Sequence, residues 1–385
     1  MKILHLVSDH QVIERALNLY ERVFPGQNEV IIFSGSTPLR HIEAHKDCPV
    51  LNIRTVELFA KSYDFSNINY VIAHYMSLDK IDFIKFVPEN IHVSWEIYGG
   101  DLYNQFLVRQ GYKLYYTDPY RYGTYKLLNI LYPRCRFLVN FNAKVFRHRK
   151  YSFDFELKRQ FDFITKRINS LGLCCRSDKD ILEQYAHRTF PYFEVFNFSL
   201  KETLGQLYDC DFTHGNNILI GNSASFTNNH LYVLNFLRKL DINSSRKVIL
   251  PLPYGGSKKY KDKVINEYSK YLPDNCQFMI NYLPIDQYYG MFLGLSTMVM
   301  SSWRQESWGN IIIGLYLGIK IYMSNQNMFY KWLVEIGFKI YAIEETNSEE
   351  FSKPLSLEYM QHNRNLVLKR YREEVVSENF KNHFK

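Results

Sequence analysis

Short apolar, β-branched runs recur along both halves of the chain, each separated from the next by a stretch long enough for a crossover helix. In the first half they fall at Ile3–Val7, Val30–Phe33, Tyr70–Ala73, His92–Ile97 and Arg136–Phe141. In the second they fall at Asn217–Ile220, Lys247–Leu250, Gln277–Ile280, Thr297–Ser301 and Ile319–Met323. Strands this apolar are covered on both faces, and strands alternating with helices pair in parallel, so the pattern predicts an α/β chain with mostly parallel sheets. The pattern runs twice, and 385 residues exceed what one core usually serves. The chain therefore reads as two Rossmann-like, doubly wound domains facing across a cleft, residues 1–205 and 206–355. Periodicity weakens between Phe196 and Thr213, and residues 356–385 read as a helix that returns to the first domain.

In open parallel sheets, ligands bind outside the carboxyl ends of the strands, where helix N-termini favour anions. The polar residues that follow each run are therefore the candidates. After Ile220 comes "GNS": Gly221 permits close backbone approach, while Asn222 and Ser223 offer donors ahead of a helix that begins near Asn228. This suits a phosphate cradle, and equally a simple capped turn. The next strands end in "LPLPYGG" and "NYLP", which put Tyr254 and Tyr282 on the same rim, beside a nucleotide or as lids on the core. "SSWRQESWGN" sets Arg304, Gln305, Glu306 and Ser307 between a strand and a helix opening at Gly309–Asn310, a geometry that aims backbone N–H groups at an anion.

In the first half, "HVSWEIYGGDLYNQF" closes a strand with Glu96, turns at Gly99–Gly100 and presents Asp101, either as a general base toward a sugar hydroxyl or as the N-cap of the following helix. "VIAHY" places His74 at another strand end, and "SDH" places Ser8, Asp9 and His10 on the same rim as candidate acceptor contacts. Two D-x-D triplets, Asp178–Asp180 and Asp209–Asp211, follow no apolar strand, so no metal is expected from them.

Composition narrows the partners. The chain carries a formal charge of +8 with 31 Tyr and 28 Phe, which suits anionic sugars, phosphates, nucleic acid or an acidic membrane face. "KVFRHRKYSFDFELKRQFDFITKR" (Lys144–Arg167) reads either as a surface resting on anionic lipid or as a helix whose Phe residues face the core. No run approaches the roughly 20 apolar residues of a membrane span, and "MKILHLVSD" is too short for a secretory signal, so a cytoplasmic protein is expected. Six cysteines without C-x-x-C spacing indicate reduced thiols rather than a zinc site or disulfide scaffold.

Together, "WEIYGGDLY", "ILIGNSASFTNNH", "VILPLPYG" and "WRQESWGN" resemble the bacterial TDP-N-acetylfucosamine:lipid II N-acetylfucosaminyltransferase family, which builds enterobacterial common antigen. The similarity runs in the same order from "HLVSD" through "AHY" to the last strand pairs. It implies a GT-B glycosyltransferase with no metal cofactor and no nucleic-acid partner, peripheral on the inner face of the inner membrane. The implied reaction moves a 4-acetamido-4,6-dideoxygalactose unit from a TDP donor to a polyprenyl-diphosphate-linked saccharide. The resemblance assigns Gly221, Asn222, Ser223, Gln305, Gly309 and Asn310 to the donor diphosphate, makes Asp101 the leading base, and adds weight to His74. The sequence departs from the family at Glu96, where His is frequent, at Tyr98, where Trp is frequent, and at Gln305–Glu306–Ser307, which replaces Gln-Gln-Gly. Another deoxyaminosugar donor, as in O-antigen or capsule synthesis, is thus within the reading. A sugar-nucleotide 2-epimerase and a non-catalytic nucleotide- or glycan-binding protein are the alternatives.

Overall fold

The computed structural model describes residues 1–10, 12–116, 154–196 and 199–384. The expected strand at Arg136–Phe141 and the first part of the Lys144–Arg167 segment lie outside these residues. Among the described residues the chain forms two sheets in which every pairing is parallel. The first contains β1 (Ile3–Ser8), β2 (Asn28–Phe33), β3 (Val50–Leu51), β4 (Tyr70–His74), β5 (His92–Glu96), β6 (Ser170–Leu173) and β7 (Tyr192–Glu194). Its order is β3-β2-β1-β4-β5-β6-β7. The second contains β8 (Asn217–Ile220), β9 (Val248–Pro251), β10 (Cys276–Met279), β11 (Leu295–Met300), β12 (Lys320–Met323) and β13 (Tyr341–Ala342), in the order β10-β9-β8-β11-β12-β13. Each sheet starts at its centre, winds to one edge, then returns and continues on the other side. The strand order therefore reverses between β1 and β4, and again between β8 and β11.

The residues divide into two compact units: Met1–Tyr112 with Tyr120–Phe198 and Val376–Lys385, and Lys113–Pro119 with Ser199–Val375. Each central strand is buried on both faces, as its apolar run requires: Ile3, Leu4, Leu6 and Val7 in β1, and Ile218, Leu219 and Ile220 in β8, have no exposed surface.

Four strands fall outside the expected set. β3 and β13 are two-residue bridges. β7 is a three-residue edge strand. β6 is built around Gly172, where a Cβ would sit 2.6 Å from Glu96 Cγ and 2.9 Å from Val195 Cγ2. Glycine is dictated there by close approach, which removes the β-branched signal.

The C-terminal stretch forms two helices, Leu357–Tyr371 and Glu373–His383, because Arg372 is extended (ψ 147°). The second carries aromatic side chains into the first unit: Phe380 lies 4.8 Å from the Tyr20 ring, and His383 stacks on Phe193 at 4.0 Å. In the Asp154–Arg167 helix, Leu157, Phe161 and Ile164 are buried, so this described part of the basic and aromatic segment faces the core.

Candidate functional site

At the carboxyl end of β8 the chain turns through Gly221 with φ of 65°. A Cβ at this position would lie 2.6 Å from Asn228 Oδ1, so the turn needs glycine. Asn228 fastens the loop: its Oδ1 accepts the Asn222 N–H (3.2 Å) and its Nδ2 donates to Ser223 Oγ (3.1 Å). Its carbonyl accepts the Ser301 hydroxyl at 2.6 Å, beyond the end of β11. Asn229, left-handed at φ 48°, donates to the Ser301 carbonyl (3.1 Å) and accepts the Tyr116 N–H (2.9 Å). Two consecutive asparagines thus tie β8 to β11 at the point where strand order reverses. The helix that follows begins at His230, two residues later than expected, because they occupy that tie. Ser223 is fully buried inside this loop and shapes it.

Asn222 stays at the rim and donates to the Tyr254 hydroxyl at 3.2 Å. Tyr254 and Tyr282 stack with centroids 5.6 Å apart and rings 7° from parallel, and both are exposed. Partial burial and then the Glu306 carboxylate raise the Tyr254 phenol above its ordinary range. Glu306 pairs with Arg304 at 3.3 Å. The helix behind them begins at Trp308, one residue earlier than expected, after a left-handed Ser307 (φ 61°). Gly309 in its first turn has nothing within 4 Å of where a Cβ would stand, and Asn310 donates to the Tyr288 hydroxyl at 2.7 Å. Asn222 Oδ1, Arg304 Nε and Gln305 Oε1 are buried without a hydrogen-bond partner. Interior polar atoms are nearly always satisfied, so three such atoms on one rim mark it as a place for a polar ligand.

The structure therefore brings Asn222, Tyr254, Tyr282, Arg304 and Glu306 together around the Gly221 turn, and links Asn310 to them through Tyr288, which lies within electrostatic reach of Tyr254. Sequence reading missed Asn228, Asn229, Tyr288 and Asn327, the last of which donates to the Arg304 carbonyl at 2.9 Å. The Asn-Asn pair directly before an apolar helix was the available signal.

The first unit's corresponding rim is built differently. Asp101 is fully buried. Its Oδ2 accepts Trp95 Nε1 (2.7 Å) and the Met76 N–H (2.9 Å), and its Oδ1 accepts the Tyr98 N–H (3.0 Å). Burial raises its carboxyl above the usual range even against these donors. Gly99 (φ 81°) occupies the N-cap, and the turn that follows, Gly100–Phe106, is a π-helix, so Asp101 does not cap it. Ser8 Oγ accepts from the buried Lys80 ammonium at 2.9 Å. Asp9 holds the Arg40 and His41 N–H groups at 2.7 and 2.9 Å. Partial burial works the other way, yet these donors bring the Asp9 carboxyl below its ordinary value.

His74 and Glu96 are also buried, in a chain whose protons can be placed. Asn28 Nδ2 donates to Glu21 Oε2 and to the Phe24 carbonyl, so Asn28 Oδ1 accepts from His5 Nε2 at 3.0 Å. Burial and then His74 hold the His5 imidazole well below its usual range, keeping it neutral. Its Nδ1 is therefore an acceptor, and His74 Nε2 donates to it at 2.9 Å. The remaining His74 nitrogen lies 2.8 Å from Glu96 Oε2, without hydrogen-bond alignment, and 3.3 Å from the Tyr98 hydroxyl. Tyr20 donates to the other Glu96 oxygen. Of the two D-x-D triplets, Asp178 is buried and accepts the Tyr103 hydroxyl at 2.8 Å. Among the described residues no three His, Cys, Asp or Glu side chains gather into a metal-holding group, and no helix is long and apolar enough to cross a membrane.

The family model of the 4-alpha-L-fucosyltransferases, glycosyl transferase group 56, matches residues 146–357, more than half of the chain. The chain belongs to this family. It is a glycosyltransferase. No curated protein matches it by sequence. Among solved structures it is similar to a glycosyltransferase from Rickettsia africae (13% identity, TM-score 0.59, covering 100% of this chain and 97% of that one). It is also similar to HepE from Anabaena in complex with UDP (10%, 0.61, 100% and 99%) and to sucrose-phosphate synthase from Thermosynechococcus elongatus (9%, 0.63, 100% and 98%). With the two parallel sheets described above, these likenesses establish the GT-B fold. The group 56 match spans the whole rim around Gly221, Tyr254, Tyr282 and Arg304, whereas Ser8, His74, Glu96 and Asp101 precede it.

Proposed function

We propose that this glycosyltransferase takes a deoxyaminosugar of the 4-acetamido-4,6-dideoxygalactose type from a TDP donor and transfers it to a lipid-linked saccharide in bacterial surface polysaccharide synthesis, at the inner face of the inner membrane. The observation that carries the donor half is the cluster of partnerless buried polar atoms, Asn222 Oδ1, Arg304 Nε and Gln305 Oε1, beside a glycine turn and an exposed tyrosine stack. HepE, of the same fold, is described in complex with UDP.

In this reading the diphosphate lies against the Gly221 turn and the first turn of the Trp308–Tyr316 helix, whose N–H groups favour negative charge. Tyr254 and Tyr282 border the nucleoside. An acceptor hydroxyl attacks the anomeric carbon, the bond from that carbon to the diphosphate oxygen breaks, and the nucleoside diphosphate leaves with the bonding electrons. Fixed donors aimed at the leaving group, together with positioning, supply most of the catalysis without a metal.

The acceptor proton needs a base. The raised carboxyl of Asp101 suits that task, while its three interior donors favour a positioning role. Asp101→Asn separates the two: a base mutant loses about a hundredfold or more in turnover with acceptor KM intact, and a positioning mutant loses acceptor KM.

The first test is thermal stabilisation by TDP, UDP, GDP and CMP with EDTA or magnesium. A ligand that binds only the native state must raise Tm. Stabilisation by TDP in EDTA is the expected result. Selectivity for another nucleotide replaces the donor, and no response to any of the four overturns the reading.

A further inference from the structure

Lys80, on the helix Leu78–Ile84, has no exposed surface, which is rare for a lysine. Directly after β4 the chain turns at Tyr75, left-handed at φ 59°, and the Tyr75 N–H donates to the Glu96 carbonyl at 3.1 Å. The turn brings two carbonyls, those of His74 and Tyr75, onto Lys80 Nζ, the latter at 2.9 Å. The third contact of the same nitrogen is Ser8 Oγ, at 2.9 Å, from the last residue of β1.

These three partners suit either protonation state of the lysine. An ammonium has three N–H donors, one for each oxygen. A neutral amine has two N–H donors and a lone pair. Carbonyls only accept, so both N–H groups go to His74 and Tyr75, and the lone pair is left to the one partner that carries a proton, the Ser8 hydroxyl. Gain or loss of a proton at Lys80 therefore strands no group; it reverses the direction of one hydrogen bond.

Burial lowers Lys80 to about 7 from 10.5, against the carboxyls of Asp79 on its own helix and Asp101 after β5, which raise it. From β1 and the end of β4 it meets neutral oxygens. A lysine relieved of its charge by burial is a recurrent base for a serine hydroxyl. Being interior, Lys80 meets no substrate itself, whereas Ser8 is half-buried at the carboxyl end of β1, where strand order reverses and ligands of such sheets bind.

We propose that Ser8 and Lys80 form the base for transfer: Ser8 Oγ takes the proton of the acceptor hydroxyl while its own proton passes to Lys80 Nζ. This rests on the glycosyltransferase reading above, and it leaves Asp101 the positioning role. The acceptor oxygen bonds to the anomeric carbon as the bond from that carbon to the diphosphate oxygen breaks, and the nucleoside diphosphate leaves with the electron pair. Serine ends with one proton, as it began. Lysine ends as an ammonium, which returns its proton to water through Ser8 before the next turnover. Ser8 is the catalytic residue, the group that touches the acceptor, and Lys80 acts through it.

The test pairs two measurements on the whole protein. Lysines carrying 13C at Cε are titrated by NMR, and transfer from TDP-4-acetamido-4,6-dideoxygalactose to a farnesyl-diphosphate-linked disaccharide of N-acetylhexosamines is followed as kcat/KM between about pH 5.5 and 9. One lysine signal is expected to titrate near pH 7 and to vanish in Lys80→Met, and wild-type kcat/KM is expected to rise with pH through an inflection at the same place. Ser8→Ala is expected to lose about a hundredfold or more in kcat/KM, and the inflection with it, while TDP stabilisation stays unchanged. Ser8→Thr, which keeps the hydroxyl, is expected to keep the inflection and stay within about tenfold of wild type. A merely structural serine would lower Tm and leave the inflection in place. Every lysine signal titrating above about pH 9.5 overturns the relay. So does a Ser8→Ala protein that transfers within about threefold of wild type or keeps the inflection. A wild-type protein that transfers nothing between this pair fails the functional reading and takes the relay with it, whereas normal transfer by Ser8→Ala fails the relay alone.

Discussion

The two places where strand order reverses, β1 with β4 and β8 with β11, share one topology and use polar residues in opposite ways. At β8 and β11 neutral asparagines and serines shape the backbone, and the aromatic and unsatisfied polar groups lie at the rim. At β1 and β4 the ionisable groups, Lys80, His74, Glu96 and Asp101, are withdrawn into the interior, and their protons and charges answer to one another. A shared fold therefore fixes where a site can be, while the burial of its ionisable groups decides whether they face the rim or hold the backbone behind it.

Substituting the glycine turn should break that contrast most severely. Gly221→Ala forces a Cβ into Asn228 at a left-handed φ. We expect TDP stabilisation to vanish and transfer to fall by about a hundredfold or more, while circular dichroism stays native. An unchanged nucleotide response would move the donor away from this turn.

Next in size is the loss of the buried lysine. Lys80→Met leaves the carbonyls of His74 and Tyr75 without their donor, and each stranded group costs about 1–3 kcal/mol. Urea unfolding should show a loss of about 2–6 kcal/mol in unfolding free energy for the two together, read from a lower midpoint at unchanged slope. The tyrosine stack gives a smaller effect. Tyr254→Ala should weaken nucleotide binding about tenfold, and Tyr254→Phe, which keeps the ring but loses the Asn222 contact, by about threefold.

The finest comparison is by pH. Burial lowers Lys80 to about 7 from 10.5. Above pH 7 the unfolded lysine binds more protons than the native one, so its contribution to stability rises between about pH 7 and 10.5. In the second unit, burial lowers His230 to about 4 from 6.5. Here the unfolded state binds more protons below 6.5, so stability is lost as pH falls from about 6.5 toward 4. Across both windows Lys80→Met should reduce the alkaline slope alone, and His230→Gln should reduce the acid slope in part, because His5 and His383 of the first unit are also lowered by burial and contribute to it. A common response would mean that the two rims do not differ in this way.

The central strands were legible because full burial on both faces demands unbroken apolar runs: Asn217–Ile220 is identical to the expected range, and β1, β2 and β4 differ from theirs by a residue or two. β6 was not legible, since close approach to Glu96 and Val195 puts glycine where a branched residue would signal a strand. On the second unit's rim, Gly221, Tyr254 and Arg304 stood out because a turn glycine, an aromatic and a charge beside strand ends are locally conspicuous. On the first rim, the sequence shows Lys80 as an ordinary polar residue of the helix Leu78–Ile84. Nothing local says that its ammonium meets Ser8, 72 residues away. The left-handed turn at Tyr75 was hidden for the same reason, because tyrosine gives no hint of positive φ and the bonds that enforce it come from distant segments.

The placement of Val376–Lys385 in the first unit bears on how the protein is made. Synthesis runs from the amino terminus, and domains generally fold as they emerge. Here the rings of Phe380 and Phe384, which pack on Tyr20, Phe24 and Phe193, emerge only after every residue of the second unit. The first unit must wait, with an aromatic gap beside Tyr20, while its neighbour is translated, and it completes its core only after the whole second unit has been made.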